Sequence, residues 1–212
     1  MEKVLSAEAA RVLGVLIEKE LSTPDYYPMT LNSLVNGCNQ KSNRFPVVEY
    51  GEFEVRDYLD ELQRYRLVGH ASVAGSRSEK FRHATAQHFG LEVPELALLA
   101  SLLLRGPQTV GELRTHTTRM AAFDSIEEVS SRLDRLMSLE EPLVMSLGRM
   151  PGQKGERFAH LLCGEVAMDD VLASGSVQQP AGRSSIAEEL DEIRERLSSL
   201  EEAFEQFKKQ FE

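Results

Sequence analysis

Seven cations occupy places where a polyanion could be held. Lys41 and Arg44 lie in the polar run 39–44, Arg77, Lys80 and Arg82 surround one Gly/Ser-rich turn, and Lys154 and Arg157 follow a Pro-Gly turn. Lys and Arg at exposed turns neutralise phosphates, and Asn39, Asn43 and Ser42 offer donors suited to phosphate oxygens and base edges, so the chemistry implied is contact with double-stranded DNA. Each group also has a plainer reading. Asn and Ser in a loop hydrogen-bond their own backbone and brace the turn. Cations on a hairpin keep it soluble and discourage edge pairing. Catalytic chemistry is not expected: the chain has no phosphate-cradling glycine loop, no zinc spacing and no nucleophile elbow. Cys38 and Cys163 are too few for a disulfide framework or a four-cysteine zinc site and read as small core residues. His70, His88 and His116 have no nucleophile near them in sequence, and His83 and His160 occupy matched positions that suggest a repeated structural role. No enzyme activity, metal or cofactor is therefore expected.

The elements that would position these cations occur twice. Glu54-Val55, Leu59-Asp60 and Leu62 return 74 residues later as Glu128-Val129, Leu133-Asp134 and Leu136. Glu79-Lys80-Phe81-Arg82-His83 returns 77 residues later as Glu156-Arg157-Phe158-Ala159-His160, so two copies of one small domain fill residues 1–90 and 91–165. In the first copy Ser6 caps a helix with Ala9, Val12, Leu13, Leu16 and Ile17 on one buried face. Thr30 caps a short helix through Cys38, and a third runs over about 53–66 with Val55, Tyr58, Leu59 and Leu62 inward. Strands are expected over 68–74 and 79–86 around the turn 75–78. The second copy repeats the pattern: Pro94 opens its first helix, Thr109 caps the second, Ser125 and Glu128 form a capping box on the third, and strands run over 143–147 and 157–162. Three helices followed by a β-hairpin are the arrangement of a winged helix-turn-helix domain, so the fold class expected is mainly α with small β-hairpins (α+β), in tandem.

The stretch Cys38-Asn39-Gln40-Lys41-Ser42-Asn43-Arg44 with Pro46-Val47 resembles the signature of the bacterial YceH family, and the likeness continues through Leu103-Leu104-Arg105-Gly106, Gly111-Glu112-Leu113-Arg114 and Arg119-Met120. It covers nearly the whole chain. Phe45 stands where the family pattern carries an acid, and Val110 where proline is common. The resemblance implies a tandem winged-helix protein and no assigned biochemical role.

Beyond the repeats, residues 166–184 are rich in Gly, Ser, Gln and Pro and read as a flexible linker. In the last segment, 185–212, Ile186, Leu190, Ile193, Leu197, Leu200, Phe204, Phe207 and Phe211 recur at alternating intervals of four and three, a heptad seam. Glu189 and Arg194 then face each other across a parallel homodimer, although the same apolar stripe would also suit folding back onto the chain. Residues 186–212 hold nine acids against four bases, half of the net charge of −10, so the repeats are closer to neutral. No apolar run is long enough to span a bilayer and no secretory signal precedes the first helix, so a cytoplasmic protein is expected. The function expected is DNA binding by basic hairpins, in transcription regulation. A protein–protein adaptor is the rival, because the third helix of copy one presents Asp57, Asp60, Glu61 and Arg64 outward.

Overall fold

Ser6 accepts a hydrogen bond from the Ala9 amide and starts the helix Ala7–Ser22 (α1) where the sequence places its cap. The computed structural model describes residues 4–71, 78–149 and 155–164. After a 3₁₀ turn at Pro24–Tyr26, the first repeat continues through Met29–Thr30 (β1), Leu31–Cys38 (α2), Glu52–Arg64 (α3), Val68–Ala71 (β2) and Lys80–His83 (β3). A short helix, Thr85–Phe89 (α4), leads to the second repeat: Val93–Arg105 (α5), Gln108–Thr109 (β4), Val110–His116 (α6), Ile126–Met137 (α7), Val144–Arg149 (β5) and Glu156–His160 (β6). The described residues are thus mixed α and β, with two three-stranded antiparallel sheets ordered β1-β3-β2 and β4-β6-β5.

The registers of the two sheets match over their inner pairs and part at the hairpin end, where β5 shifts register between Ser146 and Arg149 while β2 runs on regularly to Ala71. His83 lies opposite Val68 and His160 opposite Val144. On the other side, Lys80 lies opposite Thr30 and Arg157 opposite Thr109. Thr30 and Thr109 cap α2 and α6 by accepting from the Ser33 and Glu112 amides, so in each repeat one residue both ends the outer strand and starts the second helix.

The spacing in α1 predicts one buried face, yet every residue from Ala9 to Ile17 is buried. The reason is α5, buried from Glu95 to Leu104, which lies along the other side of α1. A helix covered all round sits at the centre of a fold. Gly14 marks the contact: a Cβ there would lie 3.0 Å from Leu103 Cβ and 3.0 Å from the Leu104 side chain. Buried apolar residues of both repeats form one continuous cluster, with Leu147 and Ala159 in a small separate one, and Leu5 N donates to Leu162 O as a second tie between the repeats.

Some local expectations differ. The strand expected over 79–86 ends at His83, and Thr85–Phe89 is helical, stopped by Gly90 at φ +65°. Glu128 does not complete a capping box with Ser125: its carboxylate accepts from the Asp124 amide, one residue further back. The last strand stops at His160, short of the expected 162, and Cys163 lies in the turn that follows. Arg77, Lys154, the linker 166–184 and the heptad segment 185–212 lie outside the described residues.

Candidate interaction surfaces

The polar run 39–44 is largely committed to holding the molecule together. Arg44 donates from Nε to Gly37 O, from Nη1 to Asn43 O and Glu18, and from Nη2 to Glu18 at 2.6 Å and Gln40 at 2.8 Å. All five guanidinium hydrogens find acceptors, and none of its side chain is exposed. Arg44 therefore does not belong with the candidate phosphate contacts: its charge is matched by Glu18 and shielded from solvent. Burial raises the affinity of Glu18 for a proton, but the Arg44 guanidinium outweighs it and holds the carboxyl below its ordinary range. Asn39 clamps Tyr50 from both sides, donating to its carbonyl and accepting from its amide. Asn43 accepts from Arg105 and Phe45 N donates to Leu104 O, so the loop reaches the end of α5 in the other repeat. Lys41 remains exposed, without a hydrogen bond or ion pair to a described residue.

The two hairpins share three inner pairs but not an electrostatic state. In the first, Arg82 is exposed and Lys80 half-buried, and neither makes a hydrogen bond or ion pair to a described residue. In the second, Arg157 is 7% exposed, donates to Pro107 O at 2.7 Å and pairs with Glu112 at 3.3 Å. Arg157 therefore also leaves the set of free cations. Its neutraliser, Glu112, occupies the position of Ser33 in the first repeat, three residues after the capping threonine.

The outer faces of the third helices are acidic in both repeats. On α3 Glu52, Glu54, Asp57 and Asp60 are exposed and outnumber the exposed Arg56, which pairs with Glu79 at 3.3 Å, and Arg64; Glu61 is drawn away to accept from Ser6 N and Oγ at 2.8 and 2.7 Å. On α7 Glu127 and Asp134 are exposed. Its arginines are committed: Arg132 lies 2.7 Å from Glu92 and 3.0 Å from Glu95, and Arg135 2.5 Å from Glu95. Glu95 is fully buried. Burial pushes it up, but the Glu92 amide, Arg132 and Arg135 outweigh that and hold it below the ordinary carboxylate range. The first turns also expose large apolar residues, Phe53 at 88% and Ile126 at 49%. Phe53 is a feature the motif reading missed. Its signal was position, since it falls off the stripe of Val55, Leu59 and Leu62 that α3 buries.

A family model described as a protein of unknown function, DUF480, matches residues 5–153. The chain belongs to this family. DUF480 relatives with the name UPF0502 protein include one from Pelobacter propionicus, 44% identical over the full length of both chains. One from Geobacter metallireducens is 52% identical over 77% of this chain and 74% of its own length. Another, from Aeromonas hydrophila, is 42% identical over 97% and 99%. The YceH resemblance carried by residues 38–47 points to the same uncharacterised family.

The interior of this DUF480 chain holds several titratable groups. His83 Nδ1 accepts from the Thr85 amide and Nε2 lies 2.5 Å from Glu20; burial lowers the imidazole pKa and Glu20 works against the shift. His160 has no such neighbour among the described residues: Nδ1 is buried without a hydrogen-bond partner among them, and burial lowers its pKa to about 4. Burial raises the Cys38 thiol to about 12, so it is not a reactive thiolate. Arg11 donates to Pro46 O at 2.8 Å while its buried Nε and Nη1 find no hydrogen-bond partner among the described residues. Burial, with Arg44 beside it, lowers its pKa. Among the described residues no group of His, Cys, Asp and Glu is arranged to hold a metal, and no helix is long and apolar enough to cross a membrane.

Proposed function

We propose that the chain is a non-enzymatic, cytoplasmic, tandem winged-helix protein that works as a protein–protein interaction adaptor. In this reading β2–β3 and β5–β6 are the wings, α3 and α7 are the third helices, and the heptad segment joins copies into a parallel dimer. The observation that carries it is the acidity of both third helices. Where a DNA-reading winged helix presents cations to the major groove, Glu52, Glu54, Asp57 and Asp60 outnumber Arg56 and Arg64 on α3, with Arg56 paired to Glu79, and Glu127 and Asp134 stand on α7, whose arginines are held by Glu92 and Glu95. Such faces repel a phosphate backbone and attract a basic protein surface.

DNA binding is the second reading, favoured by one observation: Lys80 and Arg82 project from the first hairpin with no acid to neutralise them among the described residues. Transcription regulation would follow from it. Fluorescence anisotropy of the full chain with random-sequence and genomic duplexes, at about 50 and 200 mM salt, decides between the two. The adaptor reading expects no saturable binding at either salt. Binding that falls steeply with salt and disappears in Lys80→Glu/Arg82→Glu would overturn it in favour of DNA.

A further inference from the structure

We propose that the first turns of α3 and α7 are a pair of equivalent docking points for a Lys/Arg-rich protein segment carrying bulky apolar side chains, with Phe53 as the principal anchor and Ile126 as the second. This rests on the adaptor reading and names the chemistry of its partner.

A phenylalanine left 88% exposed contributes little to folding, and burying it against a partner removes a large apolar surface from water. The chain leading into α3 adds exposed Val47 and Glu49. The repeats place this chemistry at the same point twice by different residues: α3 begins Glu52-Phe53 and α7 begins Ile126-Glu127, the acid and the apolar residue exchanging places. Helix-dipole stabilisation accounts for acids in a first turn. It does not account for the apolar partner beside each of them, nor for Asp57 and Asp60, which continue the charge along α3.

Charge complementarity selects the occupant. The chain's own segment 186–212 is apolar enough to cover Phe53, but its nine acids against four bases give it the wrong sign, and a second copy carries the same net charge of −10. A segment combining cations with an apolar anchor satisfies both the acids and Phe53, with the aromatic as the hot spot and the acids fixing orientation and encounter rate.

The test selects random 12-residue peptides displayed on phage against the immobilised full chain, then measures synthetic copies of those recovered. Recovered peptides are expected to be net positive with at least one bulky apolar residue. Their affinity should fall about tenfold or more in Phe53→Ala and again in Asp57→Lys/Asp60→Lys, both of which alter exposed positions and retain the wild-type circular dichroism. Recovery of no peptides, of neutral or acidic peptides, or of peptides that bind Phe53→Ala as tightly as wild type overturns the proposal. Failure here with duplex DNA still unbound leaves the adaptor reading standing with a partner of other chemistry; salt-sensitive DNA binding removes both.

Discussion

Lys80 and Arg157 occupy the same place in two sheets, opposite Thr30 and Thr109, yet among the described residues one has no acid against it and the other is neutralised in the interior. The difference lies in another element. The second helix of repeat two carries Glu112 three residues after its cap, where repeat one carries Ser33, and that carboxylate takes in the arginine. A count of charges along each hairpin makes the two equally basic. Pairing across the fold makes one of them a surface cation and the other a structural strut, so a repeated sequence does not carry a repeated electrostatic role.

The largest contrast is expected from truncating each cation. Arg157→Ala strands Pro107 O and Glu112 and should cost about 3 kcal/mol, as for breaking a largely buried pair. Lys80→Ala should change stability by under about 0.5 kcal/mol, both read from equilibrium urea denaturation. Equal losses would show that the two sites are alike after all.

The histidines offer a second contrast at matched positions. His160 titrates at about 4 when folded against an ordinary 6.5, so the unfolded chain takes up a proton that the fold refuses. Stability from this group is fully present above about pH 6.5 and is lost as pH falls toward 4, by up to about 3 kcal/mol. Wild type should lose stability over that window more steeply than His160→Leu. His83, also lowered by burial but with Glu20 beside it, should contribute a shallower slope when replaced in the same way. Parallel pH profiles for wild type and His160→Leu would contradict this account.

At the junction between repeats, Gly14→Ala places a methyl 3.0 Å from Leu103 and Leu104 and should destabilise by about 1–2 kcal/mol, with one shared unfolding transition retained in calorimetry. The smallest change sharpens the hairpin comparison directly. Ser33→Glu gives repeat one the acid of repeat two; it should pair with Lys80, complete a capping box with Thr30 and stabilise by about 0.5 kcal/mol. If the hairpin grips DNA, the same substitution should weaken that binding; an unchanged affinity would show that Lys80 plays no part in it.

Much of the α+β layout is legible locally. Ser6, Thr30, Thr109 and Ser125 each cap the helix they precede, because a cap is a contact between neighbours in sequence. Thr85–Phe89 escapes because five residues give no helical period, and the two-residue strands β1 and β4 are shorter than any alternation can reveal. The candidate site is read less well for a different reason. Arg44 meets Glu18 across 26 residues and Arg157 meets Glu112 across 45, and no spacing rule links such pairs. Cations can be counted in a sequence, but whether they are free depends on those distant acids. Lys41 and Arg82 kept their exposure because no distant acid is brought against them among the described residues.

The packing of α1 against α5 also bears on the order in which the protein can form. Gly14 and its covering leucines are 89 and 90 residues apart, so their contact requires closure of a long chain loop and falls late in folding. On a ribosome, the first repeat emerges with one flank of its central helix still apolar and bare, and it stays so until Val93–Arg105 has left the exit tunnel. For that interval the nascent protein displays a sticky surface that the finished one never shows.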